Sequence, residues 1–271
     1  MPKVANVEIL ARALGRISPG EPKTYEALAV IPLLAPMQAE PEWVTTAEAG
    51  YRVRITAVGE ATYEPDLRAA NLGDLPLALL DGELVDAKQS RILNTTVLVP
   101  PRSELIIPTC HMEQGRWRYY DRQFAPGRDG FDFACINRIP RVIRVTPPFH
   151  IRYESELAPA REALAPFPGQ VGAVAYVAGL WAGLELLAAP GLFARAWWHL
   201  CVGYAGEAYW RTPAMPGAPS PSRILGMLSK CPVESAPAVG LGVEHRWSGT
   251  RLAGAALVAE GRVAHLMAFP I

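Results

Sequence analysis

The sequence predicts an α+β protein: a β-rich, mainly antiparallel N-terminal lobe, sandwich- or barrel-like, packed on a smaller α+β C-terminal lobe. Three observations carry this. Short β-rich runs separated by turn residues crowd residues 25–148, a broad apolar helical stripe follows Pro190-Gly191, and three more β-like runs close the chain. The expected division is 1–148 and 149–271. The two lobes are expected to fold as one cooperative unit, because the N-terminal strands alone offer no cover for both faces of a sheet.

Apolar residues at 4, 7, 10 and 14 predict a short amphipathic helix, and Thr24–Leu34 a strand stopped by Pro32 and Pro36. Thr45 caps a one- or two-turn helix that ends at Gly50. Tyr51–Val58 alternates, Val53 and Ile55 against Arg52 and Arg54, as a half-buried strand does. Leu75–Leu80, Ile92–Val99 and Leu105–Thr109 are strand-like, and Pro100-Pro101-Arg102-Ser103 predicts a hairpin turn between the last two. Trp117–Tyr120 and Phe131–Val145 read as extended, with a turn at Gly127–Gly130. Glu154–Leu164 is a short charged helix and Val171–Val177 an apolar strand. The helix opened by Pro190-Gly191 gathers residues 192, 193, 196, 197, 200, 201 and 204 on one stripe. Thr212–Ser222 is a Pro-, Gly- and Ser-rich loop, and Ser222–Ser229 a short helix. Val239–Trp247, Leu252–Val258 and Val263–Phe269 are strands, the last two joined by a tight turn at Glu260-Gly261.

Half of the 271 residues are hydrophobic and 19% are charged, too apolar for a chain that stays disordered. Twenty-six basic residues balance 26 acidic ones, so the basic excess that non-specific nucleic-acid binding needs is missing. The apolar stretch around Val171–Ala189 is interrupted by Glu185 and by glycines, which argues against a membrane span; with no apolar run at the N-terminus, the expectation is a cytoplasmic protein. Cys110, Cys135, Cys201 and Cys231 lack metal-ligand spacing, so reduced core thiols and no metal are expected. Cys110, followed by His111, is the best candidate for a thiol nucleophile.

Chemistry concentrates in Asp81–Thr96. Asp81 and Glu83 face the same way in an extended chain, and Lys88 and Arg91 can converge on an anion, one as a point charge and the other through a planar fork. A solvated hairpin tip is the alternative, since Asp-Gly favours turns. A second cluster, His111–Trp117, returns to the same end of a sheet if the neighbouring strands pair as a hairpin, and Trp117 is then available to stack on a ring. Its alternative is a salt-bridged rim. Glu185, in apolar surroundings, must be exposed, paired or protonated. His265, expected on one strand face with Val263 and Met267, reads as a core histidine bonded to backbone, or else as a catalytic group.

The run Leu79-Leu80-Asp81-Gly82-Glu83-Leu84, then Ala87–Pro100 and Glu113-Gln114-Gly115-Arg116-Trp117, resembles a bacterial domain family named for its association with ADP-ribosylglycohydrolases and the rhodanese-phosphatase superfamily. Thr24-Tyr25, Gly169-Gln170-Val171-Gly172, Glu185, Val263, His265 and Phe269 are similar as well. Residues 118–165 depart from the pattern, being Pro- and Arg-rich where relatives carry a more polar, helical segment. The resemblance implies a part in ADP-ribose- or NAD-linked metabolism or in repair of modified RNA. The expected ligand is a small phosphate-containing molecule. Lys88, Arg91 and Arg116 offer cations for it, Gln89, Asn94 and Gln114 orient it, and Trp117 stacks on it. An enzyme would take its acid or base from Glu83 or Glu113, with His265 third. No cofactor is specified. The alternative is a non-catalytic interaction module that self-associates.

Overall fold

Apolar runs from both ends of the chain meet in one nine-stranded sheet of the computed structural model, which describes residues 2–36, 39–58, 66–81, 84–86, 91–93, 95–111, 122–123, 132–133, 158–209, 211–212 and 218–271. Helix α1 (Pro2–Leu14) leads into β1 (Ser18–Pro19), β2 (Lys23–Tyr25) and β3 (Leu28–Leu34). Then come β4 (Val44–Thr45), α2 (Thr46–Ala49), β5 (Val53–Ala57), β6 (Asp66–Asn71), β7 (Leu77–Leu79), β8 (Leu84–Asp86), β9 (Arg91–Leu93), β10 (Val97–Val99), β11 (Ser103–His111), β12 (Arg122–Gln123) and β13 (Asp132–Phe133). Residues 158–163 form α3. The remainder is β14 (Gln170–Val177), β15 (Leu180–Leu187), α4 (Pro190–Tyr209), α5 (Pro221–Lys230), β16 (Val233–Pro237), β17 (Val243–Ser248), β18 (Leu252–Ala259) and β19 (Arg262–Pro270). The fold is α+β and β-rich. Among the described residues no sheet closes into a barrel, and no helix is long and apolar enough to cross a membrane.

Two compact units result, and they do not follow a single cut in the sequence. One gathers Met1–Pro41, Arg141–Ala236 and Val243–Ile271; the other gathers Glu42–Pro140 and Pro237–Gly242. The reason is β3, which pairs along its whole length with β14. The predicted strand Thr24–Leu34 turns back on itself at Glu26-Ala27, Tyr25 opposite Leu28. Pro32 does not stop β3. A proline offers the ladder only its carbonyl, and the Gly20 N–H takes it at 2.8 Å.

In the first unit the strand order is β1-β3-β14-β15-β19-β18-β17-β16, with β2 paired to β3. One face packs Leu184, Leu186, Leu266 and Ala268 against Leu10 and Leu14 of α1 and Ile224 and Leu228 of α5. On the other face α4 covers β3, β14 and β15, burying Leu192, Phe193, Ala196, Trp197, Leu200, Cys201 and Tyr204, the stripe read from the sequence. Glu40 supplies its N-terminal anchor, accepting from the Gly191 and Leu192 N–H groups at 2.6 and 3.1 Å. The Glu260-Gly261 turn forms as expected, both residues at positive φ (51° and 72°).

The second unit holds a five-stranded sheet, β5-β6-β11-β9-β8, a three-stranded one, β10-β7-β4, and the pair β12-β13. Leu67, Leu77, Leu79, Leu93, Val97, Val99 and Ile107 form its core. The Thr45 cap is a full capping box with Glu48. The predicted hairpin between Ile92–Val99 and Leu105–Thr109 does not form. That first run splits, β10 pairing with β7 and β9 with β11, whose earlier half pairs with β6.

Candidate functional site

Strands β7 and β10 pair antiparallel with Leu79 opposite Val97, so residues 80–96 leave the three-stranded sheet and return to it. The root of this excursion is tied by the Asp81 N–H, which donates to Thr96 Oγ1 at 3.1 Å. Asp81 and Thr95 are buried there, and so is Thr109 on β11. Inside the excursion, β8 and β9 form a hairpin on the edge of the five-stranded sheet. Its inner strand is anchored by Leu93, fully buried in the core and opposite Thr109. The register then places Arg91 between two neighbours, Asp86 on β8 and His111 on β11. At about 4.8 Å between strands, these three backbone positions span roughly 10 Å.

Positions 91 and 111 therefore meet, although through a pairing other than the expected hairpin. Glu83, Lys88, Gln89, Asn94, Glu113, Gln114, Arg116 and Trp117 lie outside the described residues, as do the side chains of Arg91 and Cys110.

His265 is described, and the partner of its Nε2 is a carboxylate. Its Nε2 lies 2.9 Å from Glu185 Oε2, both side chains all but sealed from solvent (2% and 1% exposed). A carboxylate acceptor fixes the proton on that nitrogen. Tyr204 reaches down from α4 and donates its hydroxyl to Glu185 Oε1 at 3.1 Å. Gly183 leaves room for that hydroxyl, because a Cβ there would stand 2.2 Å from it. Two residues that look isolated in sequence are thus one buried pair, the paired outcome expected for Glu185. Removing either side chain would take a buried hydrogen bond from the other, at a cost of about 1–3 kcal/mol. Val263 does not share the His265 face: a register shift between Leu257 and Val258 turns it into the cluster with Leu266.

The same face carries a second buried pair, within the predicted strand Val239–Trp247. Arg246 donates through Nε to Glu244 Oε1 at 2.7 Å, both buried on β17. Arg246, Ala255, Met267 and Glu185 stand in one lateral row, about 14 Å across at the usual strand spacing, so the two pairs are separate.

Gln170 and Gly172 complete the neighbourhood. Gln170 donates to the Gly172 carbonyl at 2.9 Å and accepts from the Phe167 N–H at 3.0 Å, while the Glu185 carbonyl passes so close to Gly172 that a Cβ would stand 2.3 Å from it. Burial holds the Cys201 and Cys231 thiols above their ordinary pKa, so both stay protonated. Among the described residues no three His, Cys, Asp or Glu side chains gather as metal ligands.

The family model of the ARG and Rhodanese-Phosphatase-superfamily-associated Protein domain matches residues 16–134 and 146–269. The chain belongs to that family. No curated protein and no solved structure matches it. Within this ARG- and rhodanese-phosphatase-associated domain, the matched span takes in both the 80–96 excursion and the Glu185–His265 pair. The family's name links it to ADP-ribosylglycohydrolases and the rhodanese-phosphatase superfamily, which is consistent with ADP-ribose-related metabolism.

Proposed function

We propose that the chain binds a small phosphate-containing molecule, ADP-ribose or a nucleotide first, through the polar hairpin of residues 81–94 and the segment 111–117. The observation that supports this most is the backbone register, which sets Arg91 beside both Asp86 and His111 on three neighbouring strands. Buried Leu93 and the Asp81–Thr96 hydrogen bond anchor this segment to the second unit, and anchored ends lower the entropy lost on binding. In this reading Lys88, Arg91 and Arg116 meet the phosphates, Gln89, Asn94 and Gln114 orient them, and Trp117 stacks on a ring. Any acid–base step would fall to Glu83 or Glu113, because His265 is sealed in the core with Glu185. The expected site of action is the cytoplasm, with no grip on long nucleic acid. The test is calorimetric titration of ADP-ribose, NAD and simple nucleotides against the wild type, Lys88→Ala and Arg91→Ala. One ligand class should bind, and each substitution should weaken it about tenfold or more, the worth of a charge-assisted bond. Wild type binding none of them would refute the reading. A concentration-dependent mass without ligand binding would favour a self-associating module.

A further inference from the structure

The first unit has a cleft of about 340 Å³ where α1, the end of β14 and the β18–β19 turn come together, within the usual size range of small-molecule sites. Among the described residues fourteen line it; three of these are arginines and none is acidic. Arg12 and Arg16 sit four apart beside Ile9 and Ala13, the i, i+3, i+4, i+7 spacing of one helical face, and Arg262 enters from β19. Arg262 donates to the Ala39 carbonyl at 2.6 Å, which fixes the guanidinium and leaves most of its five N–H groups for another acceptor. Among the described residues none of the three has a carboxylate partner. An arginine near a helix C-terminus offsets the helix dipole, which accounts for Arg12. It does not account for Arg262, on a different element and facing the same space. Three like charges around one cleft repel each other, and an anion between them reduces that cost.

We propose that this cleft is a binding site for a small organic phosphate or diphosphate with an aliphatic body, distinct from the hairpin site above. Two or three guanidinia suit a multiply charged phosphate better than a single carboxylate, through paired N–H···O bonds. Among the described residues the remaining wall is aliphatic: Ile17, Val171, Leu187 and Val263 are among its members, and none of them carries an aromatic ring to stack on a base. Gly261 keeps the turn side of the opening free of any side chain.

Titration of the full chain with pyrophosphate, butyl phosphate, inorganic phosphate and butyrate, followed by calorimetry and phosphorus NMR, tests this. Pyrophosphate and butyl phosphate should bind, butyl phosphate more tightly than inorganic phosphate, and butyrate least. Arg12 and Arg16 are exposed, and the double variant Arg12→Ala/Arg16→Ala should bind at least about tenfold more weakly. The same loss should follow from Arg12→Ala/Arg16→Ala made in a Lys88→Ala/Arg91→Ala background, which separates this site from the hairpin. A measurement on the wild type alone runs beside it: pyrophosphate should slow modification of Arg12 and Arg16 by an arginine-specific dicarbonyl reagent, read by peptide mass. The proposal is overturned if the wild type binds no phosphate probe, if the Arg12/Arg16 substitutions leave binding undiminished in either background, or if pyrophosphate gives no protection.

Discussion

His245 stands on β17 with Nδ1 2.8 Å from Ser235 Oγ, on the sheet face that also holds Trp247 and Ala256. Its Nε2 is buried and has no hydrogen-bond partner among the described residues, so a charged ring would be poorly solvated. Burial accordingly pushes its pKa down from 6.5 to about 4. An unfolded chain takes up a proton on this ring near pH 6.5, whereas the folded one waits until about pH 4. Between those values the unfolded state holds more protons, so stability is full above pH 6.5 and declines as pH falls toward 4. The loss attributable to this ring should be of order 2 kcal/mol. Urea midpoints of wild type and His245→Gln, compared at pH 7.5 and at about pH 4.5, should converge at the acid end as the wild type alone loses this contribution. Parallel declines in the two proteins would mean that His245 is not the group titrating. The Glu185–His265 pair differs in kind, because each member is the other's partner and Tyr204 supplies a third group.

Two glycines separate what an element needs from what it merely tolerates. Gly226 lies inside α5 with nothing within 4 Å of where an alanine methyl would sit, so Gly226→Ala should stabilise the protein by about 0.5–1 kcal/mol through helix propensity and a less disordered unfolded chain. Gly172 sits in β14 under the Glu185 carbonyl, and Gly172→Ala must push two central strands apart, at about 2 kcal/mol or more. Thermal melts should therefore move in opposite directions, and a shared direction would contradict this packing. The same contrast explains what the sequence made legible. Helices α1, α4 and α5 and the β18–β19 hairpin announce themselves through 3.6-residue spacing, caps and a Glu-Gly turn. Strand β15 is buried on both faces after Leu180, so it has no alternation to read, and β6 alternates only through Leu67 and small Ala69. The site is legible in a similar way. Residue types in 81–94 point to anion chemistry, but the neighbour of Arg91 is fixed by how β9 reaches β11, a long-range pairing that local patterns do not encode. The pairing of Glu185 with His265 is likewise set by the contact of β15 with β19, across 80 residues.

At the scale of the whole chain, connectivity decides how the protein can be divided. Residues 42–140 are inserted between the first two of the first unit's three parts, and residues 237–242 return to the second unit, so the backbone passes between units four times. A fragment of residues 1–148 would contain β3 without β14, leaving its long ladder unpaired and Leu33 without the β14 and β15 side chains it packs among. The complementary fragment would expose the β14 edge and lose Leu10 and Leu14 from the core. Residues 42–140, in contrast, keep all five strands of one sheet and all three of another, missing only the 237–242 segment, whose Leu241 N–H donates to the Leu98 carbonyl at 2.9 Å. We propose that the intact chain nevertheless unfolds as one cooperative unit, because neither unit closes without chain that lies beyond the other. Calorimetry should then give one transition whose van't Hoff and calorimetric enthalpies agree. Limited proteolysis should cut first within residues 212–222 and leave a nicked protein with the melting behaviour of the whole. Two resolved transitions would mean that the units fold independently, and release of a stable fragment ending near residue 150 would mean that β3 does not depend on β14.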